Sequence, residues 1–448
     1  MRYIYHSCPC GQIRGIEAEE YALFKGVPFA TAKRWEAPVE VTNWNGVFDA
    51  TVPGMWCIQN DTYPHERVGP DQFYTDEIVE KQVNIYSEDC LNLNIWTKGD
   101  MVDAPVLVFI HGGSYETGGG GSPTFNGKAY CKKGIVLVTI NYRLNAFSSA
   151  VGDGYTGNYG LQDQICALQW IKHNIQAFGG NPNRVTIMGE SAGAMSVQNL
   201  ILSPLAKGLF HGAIMMSGGG ILPKAFAIKE PQIAENLWND IRNRLQAESL
   251  KELSNVPADQ IFKTWKCISE SKKQYAFSTT PVIDGITIPE SPLKLAESGK
   301  VNAVPAIIGV LSEDMWPTRL YEAAVEWGAL MDKAGMPSVY AYYFDRAVPG
   351  SDDGAYHGCD LRYAFGTLYT SWRPYEEIDQ RISQNMIDYF AGFVKTGIPC
   401  STNLATWNPI TQNNLMFMHF GDSDCEMCKV PEEHLLNVQK RHKPFPGM

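Results

Sequence analysis

Short uninterrupted apolar runs alternate along this chain with longer stretches in which apolar residues return every three or four positions. Ala104-Pro105-Val106-Leu107-Val108-Phe109-Ile110, Ile135–Ile140, Val185–Met188, Ala213–Met216 and Ala306–Gly309 are the continuous runs. Runs of this length predict strands buried on both faces, as the strands of a parallel sheet are. Ser338–Phe344 and Met416–Phe420 extend the series. From Leu91 to Trp96 apolar and polar residues alternate, which predicts a strand with one wet or hydrogen-bonded face. Helical spacing lies between the strands. Leu161, Ile165, Leu168, Ile171 and Ile175 recur at steps of four, three, three and four, and Gly179-Gly180 ends the run. Ala192 to about Leu202, Tyr321–Ala334 and Ile378–Thr396 read as further helices, the last stopped by Gly397 and Pro399. Residues 230–275 are more polar and helical, as a cap over a sheet would be. The first fifty residues read as a leading sheet edge, with Phe24–Ala30 and Trp44–Phe48 as short aromatic strands or bends. Strands alternating with helices predict an α/β fold: a mostly parallel central sheet with helices on both faces.

Composition narrows the function class. No linker rich in proline, serine or charge breaks the 448 residues, so residues 1–448 are expected to form one domain. The net charge of −11 makes nucleic acid and anionic membrane surfaces unexpected partners. No run of 18 apolar residues would span a membrane, and Met1–Gly11 does not read as a secretory signal, so the cytoplasm is the expected location. One sequon, Asn60-Asp61-Thr62, occurs without secretory context. Eleven cysteines cannot all pair, and free thiols are expected. The close pairs Cys8/Cys10 and Cys425/Cys428 would make four zinc ligands only if brought together from opposite ends of the chain, and no metal is expected.

The chemistry centres on Gly189-Glu190-Ser191-Ala192-Gly193. G-x-S-x-G recurs by chance in a chain with 41 glycines, but here it joins a predicted buried strand to a predicted helix. That context makes Ser191 the nucleophile of a strained strand-to-helix elbow flanked by small residues. A serine needs a base, and the base needs an acid; in this fold their chain order is Ser, acid, His. His357, His419, His434 and His442 follow a plausible acid. His419 falls inside a strand and the last two in the C-terminal tail, which leaves His357 in a loop just past Phe344. Ser312-Glu313-Asp314 follows the strand through Gly309, so either carboxylate sits where catalytic groups gather in such sheets. The oxyanion of a tetrahedral intermediate needs backbone N–H donors. Gly113 and Ser114 offer two from the glycine turn after Ile110, and Ala192 a third from the helix N-terminus. His111-Gly112-Gly113 lacks the Lys-Ser/Thr ending of a phosphate-binding loop.

These stretches together resemble the type-B carboxylesterase and cholinesterase-like family, in particular its bacterial para-nitrobenzyl esterase branch. Glu88–Ile95, His111-Gly112-Gly113, Asn141–Leu144, Gly157–Leu161, Phe178–Pro182, Gly189–Gly193, Pro281–Gly285 and Thr396–Pro399 carry the likeness. The resemblance implies an α/β-hydrolase fold and hydrolysis of small-molecule carboxylic esters through an acyl-enzyme, with no cofactor. By position it makes Ser191 the nucleophile, His357 the base and Asp314 the acid, although the family acid is usually Glu and Glu313 stands one place earlier. Gly113, Ser114 and Ala192 fall on its oxyanion hole, and Cys57 and Cys90 on a family disulfide that a reducing cytoplasm would leave as thiols. His357 follows Asp314 by only 43 residues, where family members carry a longer insertion. A reduced cap and an open, shallow cleft lined by Trp316, Tyr356 and Trp372 are therefore expected, suited to aryl or bulky esters. Two other uses of the same fold stand beside hydrolysis: acyl transfer to another acceptor, and a catalytically silent binding protein. The natural ester and the oligomeric state are not legible.

Overall fold

The computed structural model describes residues 2–59, 84–221, 231–275, 278–423 and 425–441. The Asn60-Asp61-Thr62 sequon and His442 lie outside the described residues.

A 13-stranded sheet organises the chain. From one edge to the other its strands are Arg2–Cys8, Gly11–Glu17, Ala22–Pro28, Asn92–Thr97, Val136–Ile140, Ala104–Ile110, Gly180–Glu190, Gly212–Met216, Ala306–Leu311, Val339–Phe344, Phe417–Phe420 and Met427–Cys428, with Val47–Asp49 beside Gly11–Glu17. The centre, from Val136–Ile140 to Phe417–Phe420, is parallel throughout. Both flanks are antiparallel apart from Val47–Asp49, which pairs parallel with Gly11–Glu17. Each central apolar run lies where its pattern put it, buried along its whole length. Helices cover both faces, so neither face can afford polar side chains.

Asn92–Thr97 departs from expectation. Both faces are buried, and its polar residues are held by hydrogen bonds rather than wetted. Asn94 Nδ2 donates to Thr139 Oγ1 at 3.0 Å, and Asn92 Nδ2 to the Met55 carbonyl at 2.7 Å.

The helices follow their patterns closely. Tyr159–Asn174 continues as a 3₁₀ turn to Phe178 and ends on Gly179, whose φ of +81° suits glycine. Glu377–Thr396 opens with a capping box from Glu376 and Asp379 and ends on Gly397 at φ +77°. The cap is three short helices, Pro231–Leu245, Leu250–Leu253 and Ala258–Ser271.

Two edge features were not in the sequence reading: the opening hairpin and a C-terminal helix, Glu432–Arg441. Cys8 lies on the first strand of the sheet order and Cys428 on the last, Met427–Cys428, so the two cysteine pairs sit at opposite edges. Among the described residues no group of three metal-ligating side chains occurs.

Candidate active site

The strand Gly180–Glu190 delivers Ser191, and the helix Ala192–Leu202 leaves from it. Ser191 takes φ +56° and ψ −123°, the strained turn that lifts its hydroxyl off the sheet. The elbow closes only with glycines beside it. A Cβ on Gly189 would lie 2.3 Å from the Gly193 backbone, and one on Gly193 2.0 Å from the Ile110 carbonyl oxygen.

His357 Nε2 lies 2.9 Å from Ser191 Oγ, and its Nδ1 lies 2.8 Å from Asp314 Oδ1. The same Asp314 oxygen accepts the Met315 N–H at 2.7 Å. Glu313 faces the other way, toward the C-terminal helix, where it pairs with His434 and Arg441. The two carboxylates that the sequence left in competition are thus separated by one step of extended backbone, whose side chains alternate.

Two further acids surround the imidazole. Glu190, the variable residue of the elbow motif, reaches to 3.3 Å of His357 Nε2 and is 1% exposed. Asp360 is fully buried three residues past the histidine and accepts the Tyr342 hydroxyl at 2.6 Å. Burial alone would pull the His357 pKa down, but Asp314 and Glu190 outweigh it and push it up to about 9. Burial raises Asp360 to about 7. Sequence reasoning missed both acids. Glu190 stood inside the motif at its free position, and Asp360 had only its closeness in chain to His357 to mark it.

The glycine turn after Ile110 approaches Ser191 closely: a Cβ on Gly112 would stand 3.1 Å from that of Ser191. Glu116 and Thr117 N–H groups both donate to the Gly113 carbonyl, which closes the turn. Ser114 and Tyr115 follow at φ +58° and +61°, a conformation that costs non-glycine residues about 1–3 kcal/mol each. Tyr115 is anchored by its carbonyl, which accepts the Asn145 N–H at 2.7 Å, while Thr279 donates its hydroxyl to the Ser114 carbonyl at 3.3 Å. Behind this turn lies a small hollow lined by Tyr115, Ser148, Asn158, Leu161, Thr279 and Val282. Ala192 is the first residue of its helix, so its N–H has no intrahelical acceptor.

The three aromatic residues of the expected cleft are not grouped alike. Trp316 is half-buried at the start of the helix Pro317–Lys333. Tyr356 is buried against the core, and Trp372 is 60% exposed. The Arg373 guanidinium stands over both rings, 5.3 Å from Tyr356 and 5.0 Å from Trp372, so one cation links these two aromatics. Cys57 and Cys90 lie together, both buried and unbridged, and their contact raises the Cys90 pKa.

The chain is similar to known proteins along most of its length. Over 98% of this chain and 97% of the relative, the sequence is 28% identical to para-nitrobenzyl esterase of Bacillus subtilis. It is 33% identical to liver carboxylesterase 1 of Oryctolagus cuniculus over 73% of this chain, but spans only 60% of that longer protein. Among solved structures, a thermophilic PNB esterase superposes with a TM-score of 0.84 at 25% identity, covering 98% of this chain and all of the other. A carboxylesterase from Geobacillus stearothermophilus superposes at 0.82 and 26% identity over 97% and 99% of the two chains. These neighbours carry the α/β-hydrolase fold, as this chain does. Residues 5–329 and 320–439 match the description "Carboxylesterase family", and the chain belongs to that family.

Proposed function

We propose that this family member is a serine hydrolase that cleaves small-molecule carboxylic esters through an acyl-enzyme, without a cofactor. The observation that carries the reading is the alignment of Ser191 Oγ, His357 and Asp314 at 2.9 and 2.8 Å, beside the Gly113–Ser114 turn. Ser191 Oγ attacks the ester carbonyl carbon while its proton passes to His357 Nε2. The carbonyl oxygen takes the negative charge, and N–H groups of Gly113, Ser114 and Ala192 receive it; one such donor is typically worth about 10²–10³ in turnover. The imidazolium, held by Asp314, then gives its proton to the departing alkoxide. Water repeats the sequence on the acyl-enzyme and releases the acid.

The reading extends to breadth of substrate. From Asp314 to His357 the chain advances 43 positions, spent on one helix, one strand and their connections. That leaves little to wall the acyl and alcohol sides. A formed apolar pocket separates substrates by only about 1–3 kcal/mol per methylene, and a reduced one by less. Trp316 and the exposed indole of Trp372 remain as aromatic surface for aryl groups. The test is the ratio of kcat/KM for bulky aryl esters to that for acetyl and butyryl esters. Comparable values support the reading. A steep preference for the smallest acyl groups, with bulky esters untouched, would overturn it. Eleven unbridged thiols favour work in a reducing compartment such as the cytoplasm.

A further inference from the structure

We infer that the helix Glu432–Arg441 is a brace for the catalytic acid, acting through Glu313 as a positioning residue. The inference rests on Asp314 and His357 having the roles proposed above.

Asp314 lies three residues past the strand Ala306–Leu311, in a stretch without regular structure of its own. One residue before it, Glu313 is tied in two directions. Its backbone N–H donates to the Ala355 carbonyl at 3.1 Å and forms an isolated parallel bridge with Tyr356. That pairing fixes the acid loop against the loop carrying His357. Gly354 lets the two approach: its φ is +69°, and a Cβ there would fall 2.6 Å from Glu313 Cγ. The Glu313 side chain points outward. Its carboxylate takes Arg441 Nη2 at 3.0 and 3.3 Å and His434 Nε2 at 3.1 Å. Two positions seven apart on one helix face, two turns along, thus close on a single carboxylate.

The helix that carries these partners is anchored independently. Leu435 and Val438 are fully buried, and Tyr321 donates its hydroxyl to Glu432 Oε1 at 3.2 Å from the helix Pro317–Lys333. That helix begins three residues after Asp314. The stretch 312–316 is therefore held at its far end by the helix Pro317–Lys333 and at its near end by Glu313, and both holds lead to the C-terminal helix. Asp314 itself has one oxygen on His357 and Met315 and, among the described residues, no partner for Oδ2. Only the two bonds on Oδ1 hold the side chain itself, so the neighbour's tether helps set where the acid stands.

The expected effect is modest, because Arg441 is 65% and His434 43% exposed and such pairs are weak in water. Removing both partners of Glu313 in the His434→Ala/Arg441→Ala double variant should lower kcat by roughly three- to tenfold with KM unchanged. Arg441→Lys in the His434→Ala background should recover most of the loss, since a cation returns. All rates are taken per active site, counted by stoichiometric labelling with an organophosphorus reagent, and at a temperature well below the measured Tm of each variant. Full kcat per labelled site in the double variant would overturn the brace. So would a loss that Arg441→Lys does not recover, which would mark the helix as packing only. Absence of labelling in the unaltered protein would instead fail the serine-hydrolase reading, and so tells the two apart.

Discussion

Replacing Asp314 by Asn exchanges one carboxylate oxygen for an NH2 group and removes a charge. Asp314 Oδ1 now accepts from both His357 Nδ1, at 2.8 Å, and the Met315 N–H, at 2.7 Å. The Met315 contact would keep the amide oxygen where Oδ1 stands, or the amide would turn its NH2 toward Nδ1. If it turns, the imidazole must carry its proton on Nε2, and the nitrogen 2.9 Å from Ser191 Oγ can no longer accept the serine proton. Either way the charge that stabilises the imidazolium is lost. In a serine protease the same change costs about 10⁴ in turnover, or about 5.5 kcal/mol at 1.36 kcal/mol per tenfold. Glu190, 3.3 Å from Nε2, retains part of the electrostatic support, so a loss of about 10³–10⁴ is expected. Glu313→Gln removes a charge from the outer brace only and is expected to cost less than about tenfold. The assay is kcat/KM on a nitrophenyl ester for both variants, each normalised to correctly folded protein. A loss below about tenfold for Asp314→Asn, or a larger loss for Glu313→Gln, would refute the assignment of the acid.

Two further expectations follow from the titratable groups. His357 is raised to about 9 by Asp314 and Glu190, which outweigh its burial, and the base must be neutral to act. Activity should therefore rise with pH along an acid limb lying above the ordinary imidazole value near 6.5, and Glu190→Gln should move that limb to lower pH; an unmoved limb would remove Glu190 from the electrostatics. The stability linkage has the opposite sense: the raised pKa stabilises the folded state fully below about 6.5, and that contribution is lost as pH rises toward 9. For Cys57 and Cys90, thiol counting on denatured protein prepared without oxidation should find both free, and a fully bridged pair would contradict a reducing compartment.

The central strands were legible because burial on both faces leaves no room for polar residues, so Ala104–Ile110 announces itself in one line of sequence. The opening strand Arg2–Cys8 was not. It is an edge strand with Tyr3 and Tyr5 exposed at 46% and 58%, and aromatic residues facing water blur the alternation that marks a strand. The helix Glu432–Arg441 left fainter signs: acids in its first turn, bases in its last, and two apolar residues three apart. The meeting of Ser191 and His357 was readable from motif and chain order. The choice between Glu313 and Asp314 was not settled by motif or chain order, since adjacent acids differ only in which side of an extended backbone they face. Glu190 and Asp360 act across space, and spacing in sequence says little about a third and fourth carboxylate around one imidazole. For Tyr356 and Trp372 the missing partner was Arg373, whose cation stands over each ring.

The most direct test of the account is covalent labelling with an organophosphorus reagent followed by peptide mapping. One equivalent per chain should attach to Ser191 and abolish esterase activity, and Ser191→Ala should neither label nor turn over substrate. A label on another serine, or full activity in Ser191→Ala, would contradict the account.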